Sequence, residues 1–226
     1  MKNFEMSDLA LLCYYFGIEV KQVKNTITLS QTGYAKKILE KMGMAECNPC
    51  CLPMEPRSKL NKYDGEPTIN QTNYRSIIGS LRYLTNTRPD LTYSVGIVSR
   101  YMEAPTTAHL NVVKQILRYV KGTIDFGCVY KREQTSEGLI GYSDSDLAED
   151  LDDGKSTTKI LYFLNDSPIT WVSQKQRIVV LSSCEAEYIA ATSGACQGIW
   201  LTKLLESILE SANMKPVLRV QLAPLK

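Results

Sequence analysis

Leu139-Ile140-Gly141-Tyr142-Ser143-Asp144-Ser145-Asp146 and, farther along, Ser182-Ser183-Cys184-Glu185-Ala186-Glu187-Tyr188 are the stretches that decide how this chain folds. The first is an apolar run that ends in carboxylates, the pattern of a strand reaching its edge. The second opens a long amphipathic stretch with carboxylates in its first turns, the pattern of a helix start. A strand end and a helix start are both places where an acid can face a shared ion. Brought together by the fold, Asp144 and Glu187 would supply half of a magnesium site of the kind that cuts phosphodiesters.

Within each cluster the acids are not equivalent. Asp144 stands at the edge of the apolar run, where its side chain lies over the sheet end. Asp146, two residues on in an extended chain, points to the same side. Glu149, Asp150, Asp152 and Asp153 follow closely and read as a solvated loop. Ser182-x-x-Glu185 matches a capping box, so helix N-terminal hydrogen bonding accounts for Glu185. Glu187 falls in the next turn, where an acid gains less from the helix dipole and must face solvent or a site. Glu187 is therefore the preferred functional acid of its cluster, with Glu185 and Asp146 secondary.

Working outward, Cys13 to Lys21 and Thr26 to Ser30 are β-prone runs that predict a hairpin. Tyr34 to Met42 has helical spacing. Gly43 to Thr72 is rich in proline and polar residues and reads as a long connection. Helices are predicted over Asn73 to Thr85, Pro89 to Met102 and Thr106 to Val120, the last with Thr106 as N-cap and a core stripe of Val112, Val113, Ile116, Leu117 and Val120. His109 in that helix reads as a capping-region or surface histidine. Cys128 to Lys131, Gly138 to Ser143, Lys159 to Leu164 and Ile169 to Ser173 read as strands of one block, and Val179 to Leu181 as a strand or a lead-in. A long helix then runs from about Ser183 to Ser211, with Ile189, Trp200, Leu201, Leu204, Leu205, Ile208 and Leu209 on its expected buried side.

Composition sets the bounds. The chain has 226 residues, 44% of them hydrophobic and 22% charged, enough for one large domain or two small ones. A net charge of +2 says nothing about an anionic partner, but the distribution is uneven. Basic residues dominate from Arg75 to Lys121, and acids dominate from Glu133 to Asp153. These are either two solvated faces or a phosphate-holding surface beside an ion-holding one. Arg75, Arg82, Lys114, Arg118 and Lys121 are the candidate phosphate contacts, and the last three share one helix face.

The seven cysteines are odd in number and scattered, which argues against a disulfide framework and for a reducing compartment. Cys47, Cys50 and Cys51 have zinc-like spacing but no second pair, and His109 is distant in sequence. The apolar run Leu9 to Ile18 follows Glu5 and Asp8 and is too short to span a bilayer. The sequence reads as soluble and intracellular, in cytoplasm or nucleus, without a membrane partner.

Several motifs in order carry a resemblance. Tyr142-Ser143-Asp144-Ser145-Asp146, Asp150-Leu151-Asp152-Asp153-Gly154-Lys155-Ser156-Thr157, Pro168-Ile169-Thr170-Trp171 with Lys175-Gln176, and Leu181 to Tyr188 resemble the ribonuclease H domain of copia-type LTR-retrotransposon Pol polyproteins. Upstream, Tyr15 to Val20, Leu29-Ser30-Gln31, Tyr74 to Leu84, Thr87-Arg88-Pro89-Asp90 and Ile116 to Thr123 resemble the end of the same polyprotein's reverse transcriptase. The resemblance implies an α/β chain in four parts. Residues 1–43 would be the end of the palm, a hairpin and a first thumb helix, and 44–72 a linker-like loop. Residues 73–123 would be a helical thumb and connection region, and 124–226 a ribonuclease H-like mixed sheet with a long helix. It further implies that Asp144 and Glu187 are catalytic and metal-holding members of a four-carboxylate, two-Mg²⁺ site that cuts the RNA strand of an RNA–DNA hybrid. The basic helices would hold the hybrid's phosphates, and other Pol parts would be possible associates.

The sequence departs from that family pattern in places. A Tyr-x-Asp-Asp polymerase motif is absent, so DNA synthesis is not expected. Pro216 to Val220 resembles the strand that carries the third catalytic Asp in the family, but Gln221-Leu222-Ala223-Pro224-Leu225-Lys226 follows it. A fourth carboxylate is likewise not found. Leu147 stands where the family has Trp, Glu149 where it has Gly, and Lys159-Ile160 where Gly-Tyr is common. The resulting expectation is an incomplete, truncated ribonuclease H-like domain whose nuclease is inactive. The alternative is a non-catalytic nucleic-acid-binding remnant.

Overall fold

A computed structural model describes residues 11–56, 58–132, 138–209 and 216–220. Glu5, Asp8, Glu133, Glu137, the predicted helical residues past Leu209, that leucine's side chain and the tail 221–226 lie outside the described residues.

The architecture is mixed α/β, with two four-stranded sheets and five α-helices among the described residues. The run Cys13 to Lys21 divides into β1 (Tyr14–Tyr15) and β2 (Ile18–Val23), because Phe16 and Gly17 take positive φ values of 45° and 85° and fold the chain back. β3 (Thr26–Ser30) completes the predicted hairpin. Next come α1 (Thr32–Lys41), α2 (Gln71–Leu84), α3 (Thr92–Val98) and α4 (Thr107–Gly122). The helix expected over Pro89 to Met102 is shorter: 3-10 turns at Pro89–Leu91 and Ser99–Tyr101 tighten both ends of α3. Ile78, Leu81, Leu84, Val98, Val113, Ile116 and Val120 close a core among the helices.

His109 is a capping residue but not a surface one. Its Nδ1 accepts from the Thr106 backbone N–H at 3.0 Å, and its fully buried ring stacks on Tyr101 with centroids 4.0 Å apart. Among its described residues the connection between α1 and α2 has no helix or strand of its own, yet it straps the helices. Met44, Met54, Leu60 and Ile69 pack on their core. The Asn61 carbonyl oxygen lies 3.1 Å from His109 Nε2, and Tyr101 Oη donates to the Leu60 carbonyl at 3.0 Å.

β4 (Gly127–Lys131) does not join the later strands, as the sequence pattern led us to expect. It pairs antiparallel with β3 and completes the first sheet in the order β1-β2-β3-β4. The second sheet is built from β5 (Leu139–Ser145), β6 (Thr157–Leu164) and β7 (Ser167–Lys175) as an antiparallel meander. Val179 to Leu181 form no strand and lead into α5 (Ser183–Leu209). β8 (Val217–Val220) then lies parallel to β5, giving the order β7-β6-β5-β8.

The face that α5 turns to this sheet differs from expectation. Ala186, Ala190, Gly194, Gly198 and Leu201 are buried, whereas Trp200, Leu204 and Ile208 are exposed. At Gly194 and Gly198 the helix lies so close to the sheet that a side chain would crowd it. A Cβ on Gly198 would sit 2.5 Å from Tyr162 Oη, and one on Gly194 would press on Leu218 and Ser143. Tyr162 Oη donates to the Gly194 carbonyl at 2.7 Å and locks that approach.

The two halves meet directly. Trp171 Nε1 on β7 donates to the Thr85 carbonyl at 2.9 Å, and Gly96 of α3 lies against Ser173. No helix among the described residues is long and apolar enough to cross a membrane.

Candidate functional site

β5 alternates as a strand must. Gly141 and Ser143 face α5, while Tyr142 and Asp144 face the other side. That second side opens on a cavity of about 620 Å³ whose walls include Tyr93, Tyr142, Asp144, Lys159, Trp171 and Arg219. Lys159 on β6 is the direct cross-strand partner of Asp144, and its Nζ lies 3.1 Å from Asp144 Oδ2. The same ammonium sits 4.8 Å from the centroid of the Tyr93 ring, an attractive placement for a cation.

Glu187 reaches the same strand end from α5. Its Oε1 accepts from the Ser145 backbone N–H at 3.3 Å, while its Oε2 is buried with no hydrogen-bond partner. Burial raises its carboxyl above the usual carboxylate range; the Ser145 N–H opposes this, the nearby Asp144 charge adds to it, and Lys159 opposes it. Asp144 and Glu187 thus share one electrostatic neighbourhood at the end of β5. Gln176 pins this corner. Its Nε2 lies 3.2 Å from Ser145 Oγ, 3.1 Å from Thr158 Oγ1 and 3.0 Å from the Ala186 carbonyl, tying β5, β6 and the start of α5 together.

The secondary acids have other partners. Glu185 Oε2 accepts from the Leu181 N–H at 2.9 Å, and the Glu185 N–H donates to Ser182 Oγ at 3.2 Å, the reciprocal pattern of a helix cap. Asp146 Oδ1 accepts from the Thr157 N–H at 2.8 Å, and its buried Oδ2 has no partner. Burial raises the Asp146 carboxyl, against the pull of the Thr157 N–H.

Asp150 departs most from the sequence reading. It is 4% exposed, not solvated. Its Oδ2 takes Arg100 Nη1 at 2.8 Å and Lys175 Nζ at 2.7 Å, and Arg100 also reaches Thr157 Oγ1 at 3.0 Å. Arg100 comes from the helical half and Lys175 from β7, so this carboxylate clasps the two halves. Sequence reasoning missed Asp150, Gln176 and Lys159 because their partners lie far away in the chain.

Among the basic candidates, Arg75 Nε donates to the Met102 carbonyl at 3.0 Å and Arg118 Nε to the Asn48 carbonyl at 2.8 Å. Arg82 and Lys114 are exposed on α2 and α4, and Lys121 is half-buried near the end of α4. The structure brings Asp144 and Glu187 together but leaves these five spread over two helices.

The residues present do not by themselves fit a pair of magnesium ions. The buried, unpartnered Glu187 Oε2 and the Asp144 carboxylate are hard oxygen donors suited to Mg²⁺. Yet among the described residues no group of three or more His, Cys, Asp or Glu side chains gathers, and Asp144 already carries an ammonium. A dication about 4 Å from that ammonium would be repelled by roughly 2 kcal/mol in water-like surroundings and roughly 8 at a protein surface of effective dielectric 20. Both Lys159 and Asp144 are more than a third exposed, which places the value toward the lower figure.

A family model described as reverse transcriptase (RNA-dependent DNA polymerase) matches residues 1–56. The chain is 39% identical over 217 residues to the retrovirus-related Pol polyprotein from transposon RE1 of Arabidopsis thaliana, covering 96% of this chain and 15% of that protein. It is 36% identical over 217 residues to the corresponding polyprotein from transposon TNT 1-94 of Nicotiana tabacum, covering 92% and 16%. An uncharacterized mitochondrial protein of Arabidopsis thaliana is 38% identical over 198 residues, covering 88% of this chain and 82% of that one. The chain therefore spans about 15% of the length of the Pol polyproteins it matches.

Proposed function

Because the chain belongs to the family of retrovirus-related Pol polyproteins of copia-type transposons, we propose that it is the Pol segment joining the end of the reverse transcriptase to a ribonuclease H unit. In this reading it engages RNA–DNA hybrid or related nucleic acid without cleaving it. The observation that carries the reading is the corner at the end of β5. Asp144 and the buried Glu187 stand where an antiparallel meander meets a long helix, as the family resemblance requires of its first two acids. The Lys159 ammonium on Asp144 and the absence of a third acid among the described residues support the non-cleaving part.

The chain's own groups can then do the following. The exposed Arg82 and Lys114 attract a phosphate backbone without reading sequence. Tyr93, Tyr142 and Trp171 line the cavity onto which Asp144 opens. Glu187, held by Ser145, keeps an unpartnered oxygen at the strand end. The seven cysteines are free thiols, in keeping with an intracellular setting.

The test is incubation of the purified chain with end-labelled RNA–DNA hybrid, with Mg²⁺ or Mn²⁺, alongside binding measured across salt concentrations. We expect binding that weakens steadily as salt rises, and no cleavage above background. Cleavage that disappears in Asp144→Asn would overturn the non-cleaving assignment. A failure to bind hybrid at low salt would overturn the nucleic-acid role.

A further inference from the structure

We propose that the outward face of α5 is a self-association surface, on which a second copy of this chain packs its own α5 antiparallel about a two-fold axis level with Gly194.

The helix has no polar side. The face it turns to the sheet is apolar and small, and the opposite face is apolar too: Tyr188 is 76% exposed, Trp200 56% and Ile199 54%. Thr192, Ala195 and Cys196 lie exposed between them. A helix that is apolar all round is normally covered on every side. The strands that α5 packs on, β5, β6 and β8, all lie on its other face. Tyr188, Ile199, Trp200 and the small residues between them expose roughly 600 Å² of mostly apolar surface, most of it aromatic. A patch of that size marks a protein contact. Doubled by a second copy it gives about 1,200 Å², enough for a stable interface.

The order of residues along the face selects a second copy as its occupant. Glu185, Tyr188, Thr192, Cys196, Ile199 and Lys203 follow one another at steps of three and four, so they share one side of the helix. Their chemistry is symmetric about Gly194. Glu185 and Lys203 stand nine positions either side of it, Tyr188 and Trp200 six, and Thr192 and Cys196 two. An antiparallel copy therefore sets its Lys203 across from Glu185, its Trp200 across from Tyr188 and its Cys196 across from Thr192. Opposite charges then close both ends of an uncharged seam, and small residues at its centre let the helices approach. A parallel copy would instead oppose Glu185 to Glu185 and Lys203 to Lys203.

The local geometry allows this pairing. Steps of three and four suit the shallow crossing, about 20°, that keeps two helices in contact along their length. At 1.5 Å per residue the seam from Glu185 to Lys203 is about 27 Å long. The Leu181 N–H takes Glu185 Oε2, which leaves Oε1 for an ammonium. The other charges of α5 stay clear of the seam: Glu187 turns to the end of β5, and Glu206 lies beyond Lys203.

Sedimentation equilibrium of the 226-residue chain, without nucleic acid and from low to high micromolar concentration, reads the association. Circular dichroism melts confirm that each variant is folded. We expect a reversible monomer–dimer equilibrium that Trp200→Glu abolishes over that range. Lys203→Glu sets acid against acid at both ends of the seam and should weaken the dimer at least tenfold, and the added Glu185→Lys should recover most of that loss. A wild-type chain that is monomeric throughout would overturn the proposal and give the face to a different polypeptide. A dimer untouched by Trp200→Glu, or a folded charge-swapped variant that stays as weak as Lys203→Glu, would overturn it as well. No nucleic acid enters the measurement, so its outcome is independent of hybrid binding.

Discussion

Asp150→Ala is expected to cost about 3 kcal/mol of stability, the lower end of what breaking a buried ion pair by removing one partner costs. The substitution leaves Arg100 and Lys175 facing each other without the carboxylate that holds both. Their own partial exposure keeps the cost from being higher. For a chain of this length that corresponds to a fall of roughly 6–12 °C in melting temperature. The effect carries a pH signature. Burial alone would raise the Asp150 carboxyl, but hydrogen bonds from Lys175, the Asp152 N–H and Arg100, together with the Lys175 charge, outweigh it and hold it at about 2, below its ordinary 3.8. A depressed folded-state value means the stabilisation is fully present above pH 4 and is lost as pH falls through about 2. The gap between wild type and Asp150→Asn, read by urea unfolding, should therefore be wide at pH 7 and narrow sharply between pH 4 and pH 2. A gap that stays constant over that window would mean the clasp is not electrostatic.

Gly141→Ala is the second large effect expected. A Cβ there would lie 2.4 Å from both Cε1 and Cζ of Tyr162. The ring cannot move aside: it is fully buried, tied to the Gly194 carbonyl at 2.7 Å and flanked by Gly198. Overpacking costs about 1–3 kcal/mol and occasionally more, and a pinned aromatic with no free direction belongs at the upper end. Shortening the obstacle should rescue the clash. Tyr162→Leu destabilises wild type, but in the Gly141→Ala background the double variant should be more stable than the sum of the single effects predicts. Denaturant midpoints of the four proteins measure this. Strict additivity would show that the two positions do not touch.

These two sites also mark where sequence reading succeeded and where it stopped. Local chemistry was legible. The β2–β3 hairpin, Thr106 at the start of α4 and the Ser182–Glu185 cap all depend on neighbours within a few residues. Long-range pairing was not legible. Nothing in Gly127 to Lys131 says that its partner is β3 and not β5, because a short strand's pattern names a face and not a neighbour. Asp150 looked like a loop acid because Arg100 and Lys175, which bury it, lie well away along the chain. The buried face of α5 was misjudged for a different reason. Hydrophobic patterning weights large side chains, whereas a helix lying close on a sheet is selected by what is missing, here at Gly194 and Gly198. Trp200 and Ile208 accordingly face outward. Lys159 is one more cationic strand residue until the ladder sets it across from Asp144.

Asp144, Glu187 and Lys159 act as one electrostatic unit at the end of β5. Titration of the Glu187 side-chain carboxyl by carbon-detected NMR, in wild type and in Asp144→Asn, tests it most directly. In wild type the carboxyl should titrate above 4.5, raised first by burial and further by the Asp144 charge against the Ser145 N–H and Lys159. Asp144→Asn removes the repelling charge and frees the Lys159 ammonium toward Glu187. Both changes favour the carboxylate, so the Glu187 value should fall. A Glu187 titration that stays in place, or rises, when Asp144 is neutralised would contradict the account.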